Sequence, residues 1–201
     1  MFSGATALSW RRLDDENVKA LLPPEARDRL LVADVPGEGP LPSFFGGSHI
    51  ANGRKADIPV SLFAGSKRLC CARWPDKGFA STVSDGKTND VGKLTGFFKF
   101  DDLETLGKLA KEPFTWAFGL WKHEWADLSS EVVSVDVNGG RMAIAPEILP
   151  FGLKKGGLFY VFNAFFALNR PSEWVVDCER RRIYLWPDED APAADAVLAD
   201  G

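Results

Sequence analysis

The chain has 201 residues, of which 45% are hydrophobic and 26% charged, enough apolar material to bury a real core in one domain or one and a half. A formal net charge of −4, with basic residues scattered apart from Arg180, Arg181 and Arg182, argues against a phosphate-binding surface and hence against nucleic acid. The longest apolar runs, such as Val161 to Leu168, are far too short to span a membrane, and Met1 to Trp10 has neither the basic nor the apolar region of a leader.

In chain order, Phe2 to Trp10 reads as a short strand, and Asp14 or Asp15 caps a helix that runs to Leu22 and stops at Pro23-Pro24. A helical turn over Glu25 to Arg29 feeds a strand from Leu30 to Val35. From Pro36 to Pro59 the composition changes to Gly, Pro, Ser and Asn, which marks a long surface loop. Val60 to Phe63 and Lys67 to Trp74 form a hairpin around Ala64-Gly65-Ser66, followed by a second irregular stretch from Asp76 to Gly96.

Asp101 to Ala110 has helical spacing, with Leu103, Leu106 and Leu109 on one face and Asp101 or Asp102 as cap. The clearest hairpin joins Glu131 to Val137 and Arg141 to Ala145 through Asn138-Gly139-Gly140, because Val133, Val135 and Val137 alternate with polar residues. Phe159 to Leu168 is apolar almost all round, which suits a buried helix or an interior connector. Glu173 to Asp177 and Arg182 to Trp186 make a final hairpin, with the arginine triplet as its solvated turn. Pro187 to Gly201 decays into an acidic, Ala-rich tail. Short strands punctuated by turn signals predict a mainly β fold, sandwich-like with a few short helices.

Chemistry-bearing residues are sparse. Cys70, Cys71 and Cys178 are an odd number with two neighbours, a poor disulfide framework, and three reduced, buried thiols are expected. His49 and His123 stand far apart and neither C-x-x-C nor H-x-x-x-H occurs, so no metal and no other cofactor is expected. A glycosidase acid pair needs carboxyl groups about 5 to 9.5 Å apart across a bond. Glu173 and Asp177 on one strand would lie about 13 Å apart and read as structural; Glu124 and Asp127, if their segment is helical, would lie side by side on one face and read as surface partners of Lys122 or a neighbouring Arg.

Seven Trp and fifteen Phe exceed what a core of this size needs, so some aromatic surface is expected to serve a ligand or a neighbour. Trp116, Phe118, Trp121 and Trp125 are the best candidates for sugar contact, because a flat ring can stack on a pyranose while polar neighbours such as Glu124 and Asp127 satisfy hydroxyls. The same rings would also serve as a hydrophobic seam, which the general preference of aromatics for burial favours. The Arg73-Trp74-Pro75 corner has the same two readings, with Arg73 stacking on Trp74 or holding turn geometry.

Gly156-Gly157-Leu158-Phe159-Tyr160-Val161-Phe162-Asn163, then Leu168-Asn169-Arg170-Pro171-Ser172-Glu173-Trp174 to Asp177, then Ile183-Tyr184-Leu185-Trp186-Pro187 follow one another in the last third. This series resembles G-x-x-[FY]-Y-x-x-N, L-D-x-P-G-E-W-[YF]-x-D and G-x-L-Y-x-x-P of right-handed parallel β-helix proteins of the glycoside hydrolase and polysaccharide lyase type. Upstream, Gly4 to Trp10 is similar to the end of a first β-helix rung, Ala72 to Phe79 to A-R-W-P-N-x-G-[FY], and Gly119 to Asp127 to G-Y-W-x-x-[DE]-W-x-D. Asn169, Ser172, Val175 and Arg181 or Arg182 depart from the pattern, and two of these replace a turn glycine, so a different final turn is expected.

The resemblance implies a β-rich insertion ahead of the coils, with the catalytic acids on the β-helix beyond it. It divides the chain into a rung and connector over residues 1–35, an inserted β-rich domain over 36–158, a lead-in to the β-helix over 159–187 and a tail over 188–201. It further implies a carbohydrate partner, a missing carboxy-terminal β-helix, and an exported parent enzyme. An autonomous carbohydrate-binding module without catalysis is the alternative, and a small hydrolase using Glu124 or Asp127 a weaker third.

Overall fold

The computed structural model describes residues 5–41, 60–84, 96–145, 151–188, 193 and 196–199. They build three sheets and two short α-helices, a mainly β fold. His49 and most of the predicted 36–59 loop lie outside the described residues. The chain divides into two units, the first drawn from Met1–Ser43, Ile58–Arg73 and Asn163–Gly201, the second from Phe44–Asp57 and Trp74–Phe162.

In the first unit the opening elements are β1 (Ala5–Ala7), β2 (Arg11–Arg12), α1 (Glu16–Leu21) and β3 (Leu31–Asp34). Asp15 caps α1 by accepting from the Asn17 and Val18 amides at 2.9 and 3.4 Å, satisfying donors that the first turn leaves open. The predicted hairpin after residue 60 is real but short, joining β4 (Ser61–Ala64) to β5 (Lys67–Arg68). The rest of its second arm leaves: β6 (Cys70–Cys71) pairs in parallel with a strand a hundred residues on, and β7 (Arg73–Trp74) joins a third sheet. Leu69, buried at the first break, returns its amide to Leu62 at 2.8 Å.

The second unit holds β8 (Ala80–Ser81), β9 (Gly96–Lys99), α2 (Leu103–Leu109), β10 (Trp116–Leu120), β11 (Leu128–Asp136), β12 (Arg141–Ile144) and β13 (Leu158–Phe162). Its sheet runs β7-β13-β10-β11-β12-β9, with β8 also on β13. Asp102 caps α2 through the Thr105 amide and hydroxyl at 2.9 and 2.7 Å. Leu106 and Leu109 are buried, whereas Leu103 in the first turn is exposed. The β11–β12 hairpin closes as expected, with Asp136 accepting from the Gly139 amide at 2.8 Å and from Arg141 at 2.7 Å. A register shift between Val132 and Ser134 breaks the predicted valine face and leaves Val133 exposed.

Phe159 to Leu168 is not a helix. Its first part is β13, paired along its length with β10, and only Phe165–Ala167 forms a 3-10 turn. An all-round apolar run fits a strand as well as a buried helix, and the aromatic and β-branched content here goes with the strand.

Returning to the first unit, β14 (Glu173–Asp177) and β15 (Arg182–Leu185) form the final hairpin inside a sheet ordered β2-β3-β15-β14-β6. Every residue of β14 is buried, so both of its faces are covered. The tail is not wholly loose: β16 (Ala196–Ala199) lies between β1 and β4 in a four-stranded sheet, with Leu198 buried. Two apolar residues among alanines suffice once neighbouring strands supply both ladders.

Candidate functional site

The four aromatic residues singled out on one stretch of sequence go to three places. Trp121, directly after β10, is 2% exposed and donates Nε1–H to the Leu128 carbonyl at 3.0 Å. Its indole lies against Gly119, where an added Cβ would come within 2.5 Å of the ring, and it stacks on Phe159 at 6.0 Å. Trp121 therefore belongs to the core and presents no open ring face to a sugar.

Trp125 is 56% exposed. The turn between β10 and β11 places it parallel to His123, with ring centroids 5.1 Å apart at 7°, and Phe151 meets both edge-on at 5.2 and 5.6 Å. Glu124, exposed, and Asp127, half-buried, belong to the same turn. The turn is not helical, so the side-by-side helical geometry considered for these carboxylates does not arise. His123 and Phe151 were not legible as partners, because no spacing rule connects residues 123 and 151.

Trp116 and Phe118 lie two apart on β10 and share a face. Their cross-strand partners are Phe162 and Tyr160 on β13 and Glu131 and Ser129 on β11. Phe118 stacks on Tyr160 at 5.0 Å and 22°, and Tyr160 also meets Phe162 and Phe79, each at 5.8 Å. Trp116, Phe118 and Tyr160 are half-buried, while Ala117, Gly119, Phe159 and Val161 on the opposite face are buried. Trp74 is half-buried, packs edge-on against Phe100 at 5.1 Å and precedes Pro75 through a cis peptide, with half-buried Arg73 before it.

The buried carboxylates are fastened to the fold. Glu173 accepts from Arg170 Nε at 2.7 Å and the Asn169 amide at 3.1 Å, and Asp177 from the Arg180 amide and guanidinium at 3.0 and 3.2 Å. The arginine triplet does open on a solvated turn, with Arg180 exposed, but it also fastens that turn to the rest of the fold. Arg181 donates to the carbonyls of Val35, Gly39 and Pro36, and Arg182 to Asp34 at 2.7 Å. The expectation of a different final turn fails too, since Ser172 and Arg181 adopt the left-handed conformation at φ 68° and 53°.

None of the three cysteines is in a disulfide; against the expectation of burial, Cys70 is exposed and Cys71 and Cys178 are half-buried. Burial holds the Cys71 thiol far above its ordinary range and pushes Cys178 up to about 11, so neither is a ready nucleophile. Among the described residues no group of three or more His, Cys, Asp or Glu could hold a metal ion, and no helix is long and apolar enough to cross a membrane.

A solved structure named "Glycoside hydrolase" superposes on this chain with a TM-score of 0.59 and 20% identity. What the two share is the fold. The match covers 98% of this chain and 31% of that one, so this chain spans less than a third of its neighbour's length. No family model and no curated protein matches the sequence.

Proposed function

We propose that the chain is the non-catalytic, β-rich portion of a glycosidase or polysaccharide lyase acting on a complex polysaccharide, supporting its fold and substrate cleft. The observation that carries this reading is the match itself: nearly the whole chain superposes on less than a third of a protein named for glycoside hydrolysis. In this reading the catalytic acids belong to a right-handed parallel β-helix beyond the described fold. The chemistry of the buried carboxylates supports it, because Glu173 and Asp177 are committed to Arg170 and Arg180. Trp125, with Glu124 and Asp127, and the Arg73-Trp74 corner remain the proposed sugar contacts, and Trp116 contributes from the sheet.

Two measurements test it. Coding sequence downstream of the Gly201 codon should continue as repeated short apolar strands, and an immediate stop there would sink the proposal. The purified chain, incubated with plant and algal polysaccharides, should release neither reducing ends nor unsaturated uronates; release of either would make it an enzyme in its own right. An autonomous carbohydrate-binding module is favoured by one observation, the exposed Trp125 stacked beside His123. That reading expects retardation in polysaccharide-containing gels that Trp125→Ala abolishes.

A further inference from the structure

We infer that the Asn138-Gly139 bond is a modification site of this chain, where the Asn138 carboxamide deamidates through attack by the Gly139 amide, and that the Asp136 carboxylate restrains the reaction. The inference is independent of the carbohydrate reading. Asn138 is exposed in the turn of the β11–β12 hairpin, so its carboxamide is open to water. Its neighbour must be glycine: a Cβ added at Gly139 would run into the Asp136 carboxylate and come within 2.7 Å of Arg141 Nε. The packing that closes the turn therefore also leaves the amide nitrogen beside Asn138 with no side chain to shield it.

In the reaction the Gly139 nitrogen loses its proton to base and bonds to Asn138 Cγ, and the carboxamide nitrogen leaves as ammonia. Water then opens the cyclic imide at either carbonyl, leaving aspartate or isoaspartate at position 138 with no change of oxidation state. Ring closure requires the Gly139 amide to be released and its peptide plane to turn towards Cγ. The turn resists this. The Gly139 amide donates to Asp136 Oδ1 at 2.8 Å, the Gly140 amide to the Val137 carbonyl at 3.2 Å, and Arg141 donates to Asp136 Oδ2 at 2.7 Å. The Gly139 amide and Arg141 also hold the Asp136 carboxyl below its ordinary 3.8, so the acceptor is charged wherever base drives the reaction. Opening of the turn therefore sets the rate. Isoaspartate would add a backbone carbon between Asp136 and Arg141, disturbing the register that places Val135 opposite the buried Met142.

The test is timed incubation of the whole chain in warm, mildly alkaline buffer, followed by peptide mapping by mass and by enzymatic methylation of isoaspartate, with thermal midpoints recorded alongside. Asn52-Gly53, outside the described residues, is the other Asn-Gly pair in the sequence and serves as internal reference. Conversion at position 138 should appear in the parent and be lost in Asn138→Gln, whose longer side chain closes a less favoured ring. Asp136→Ala should speed it about three- to tenfold, the worth of one hydrogen bond, and leave conversion at Asn52 unchanged. Should Asp136→Ala fail to fold, Arg141→Gln carries the test, since it keeps Asp136 and frees only one of its oxygens; a smaller acceleration confined to position 138 is expected. Absence of conversion at Asn138 when Asn52 has fully reacted would overturn the site. Equal rates at 138 in parent and variants, or acceleration at both asparagines together, would overturn the restraint by Asp136.

Discussion

The β14–β15 ladder and the β10–β13 ladder use side chains in opposite ways. In the first, all of β14 is buried and its polar groups are fastened. Ser172 and Arg181 stand at left-handed positions that cost a non-glycine residue about 1–2 kcal/mol each. Each then makes bonds glycine could not: Ser172 Oγ with Asp188 at 2.9 Å and Lys67 at 3.1 Å, Arg181 with three carbonyls of the chain following β3. In the second ladder one face is closed and the other keeps half-exposed rings. Polar residues at a covered ladder hold the fold, whereas aromatic residues on a half-open face keep part of their ring surface in solvent.

That contrast breaks most visibly at the two tryptophans of the 119–127 segment. Trp121→Ala should cost about 3–5 kcal/mol, a core-cavity value, and lower the thermal midpoint by about 6–20 °C. Trp125→Ala should stay within about 0.5 kcal/mol of the parent because its ring is largely in solvent. Equal losses in calorimetry would mean that the turn cluster is structural, leaving it no spare surface for sugar.

The covered ladder is next. Asn163 ends β13 in the left-handed region, where its carboxamide donates to the Val176 carbonyl and accepts from the Val176 amide, both at 2.8 Å. Since β6 pairs only with Glu173 and Trp174, this side chain satisfies β14 beyond the end of its neighbour. Asn163→Gly keeps the backbone freedom and strips the amide, so a loss of about 2–4 kcal/mol is expected from unsatisfied buried groups. A denaturation midpoint unchanged from the parent would show that other groups replace it.

These assignments mark where the sequence was legible. Local signals read well: a cap at one of two adjacent aspartates for each helix, the Asn138-Gly139-Gly140 turn, and the final hairpin, because each is set by residues within a few positions. Long-range pairing did not. The split of residues 67–74 among three sheets, β13 as strand, and β16 between β1 and β4 depend on partners up to about a hundred and ninety residues away, which no periodicity encodes. The candidate site was half legible for the same reason. Trp121 and Trp125 share a motif, and only the bare Gly119 beneath one ring and His123 with Phe151 beside the other separate their roles.

A smaller effect sharpens the account of the arginine triplet. Arg181→Gly should relieve the left-handed cost yet lose the three carbonyl bonds, for a net loss of about 1 kcal/mol, and hydrogen exchange at the Val35 and Leu41 amides should quicken. If exchange there is unchanged, the guanidinium does not hold this segment.

The smallest expected effect is set by pH. The Arg182 guanidinium, hydrogen-bonded to Asp34 at 2.7 Å, holds that carboxyl below its ordinary 3.8, with Arg11 adding at 3.6 Å. A carboxyl depressed in the folded state contributes stability that is complete above its unfolded value and lost as pH falls through its folded value. The pair is more than a third exposed on the Asp34 side, so solvent limits it to about 0.2–1 kcal/mol. Arg182→Gln should therefore be less stable than the parent near neutrality by that amount, and the gap should narrow below about pH 4 as Asp34 protonates in both proteins. Arg182 also reaches the Tyr184 hydroxyl, a contact with a neutral group that pH in this range does not touch. A gap that persists undiminished in acid would assign the residue's contribution to Tyr184 and to packing along the β15 edge rather than to the ion pair.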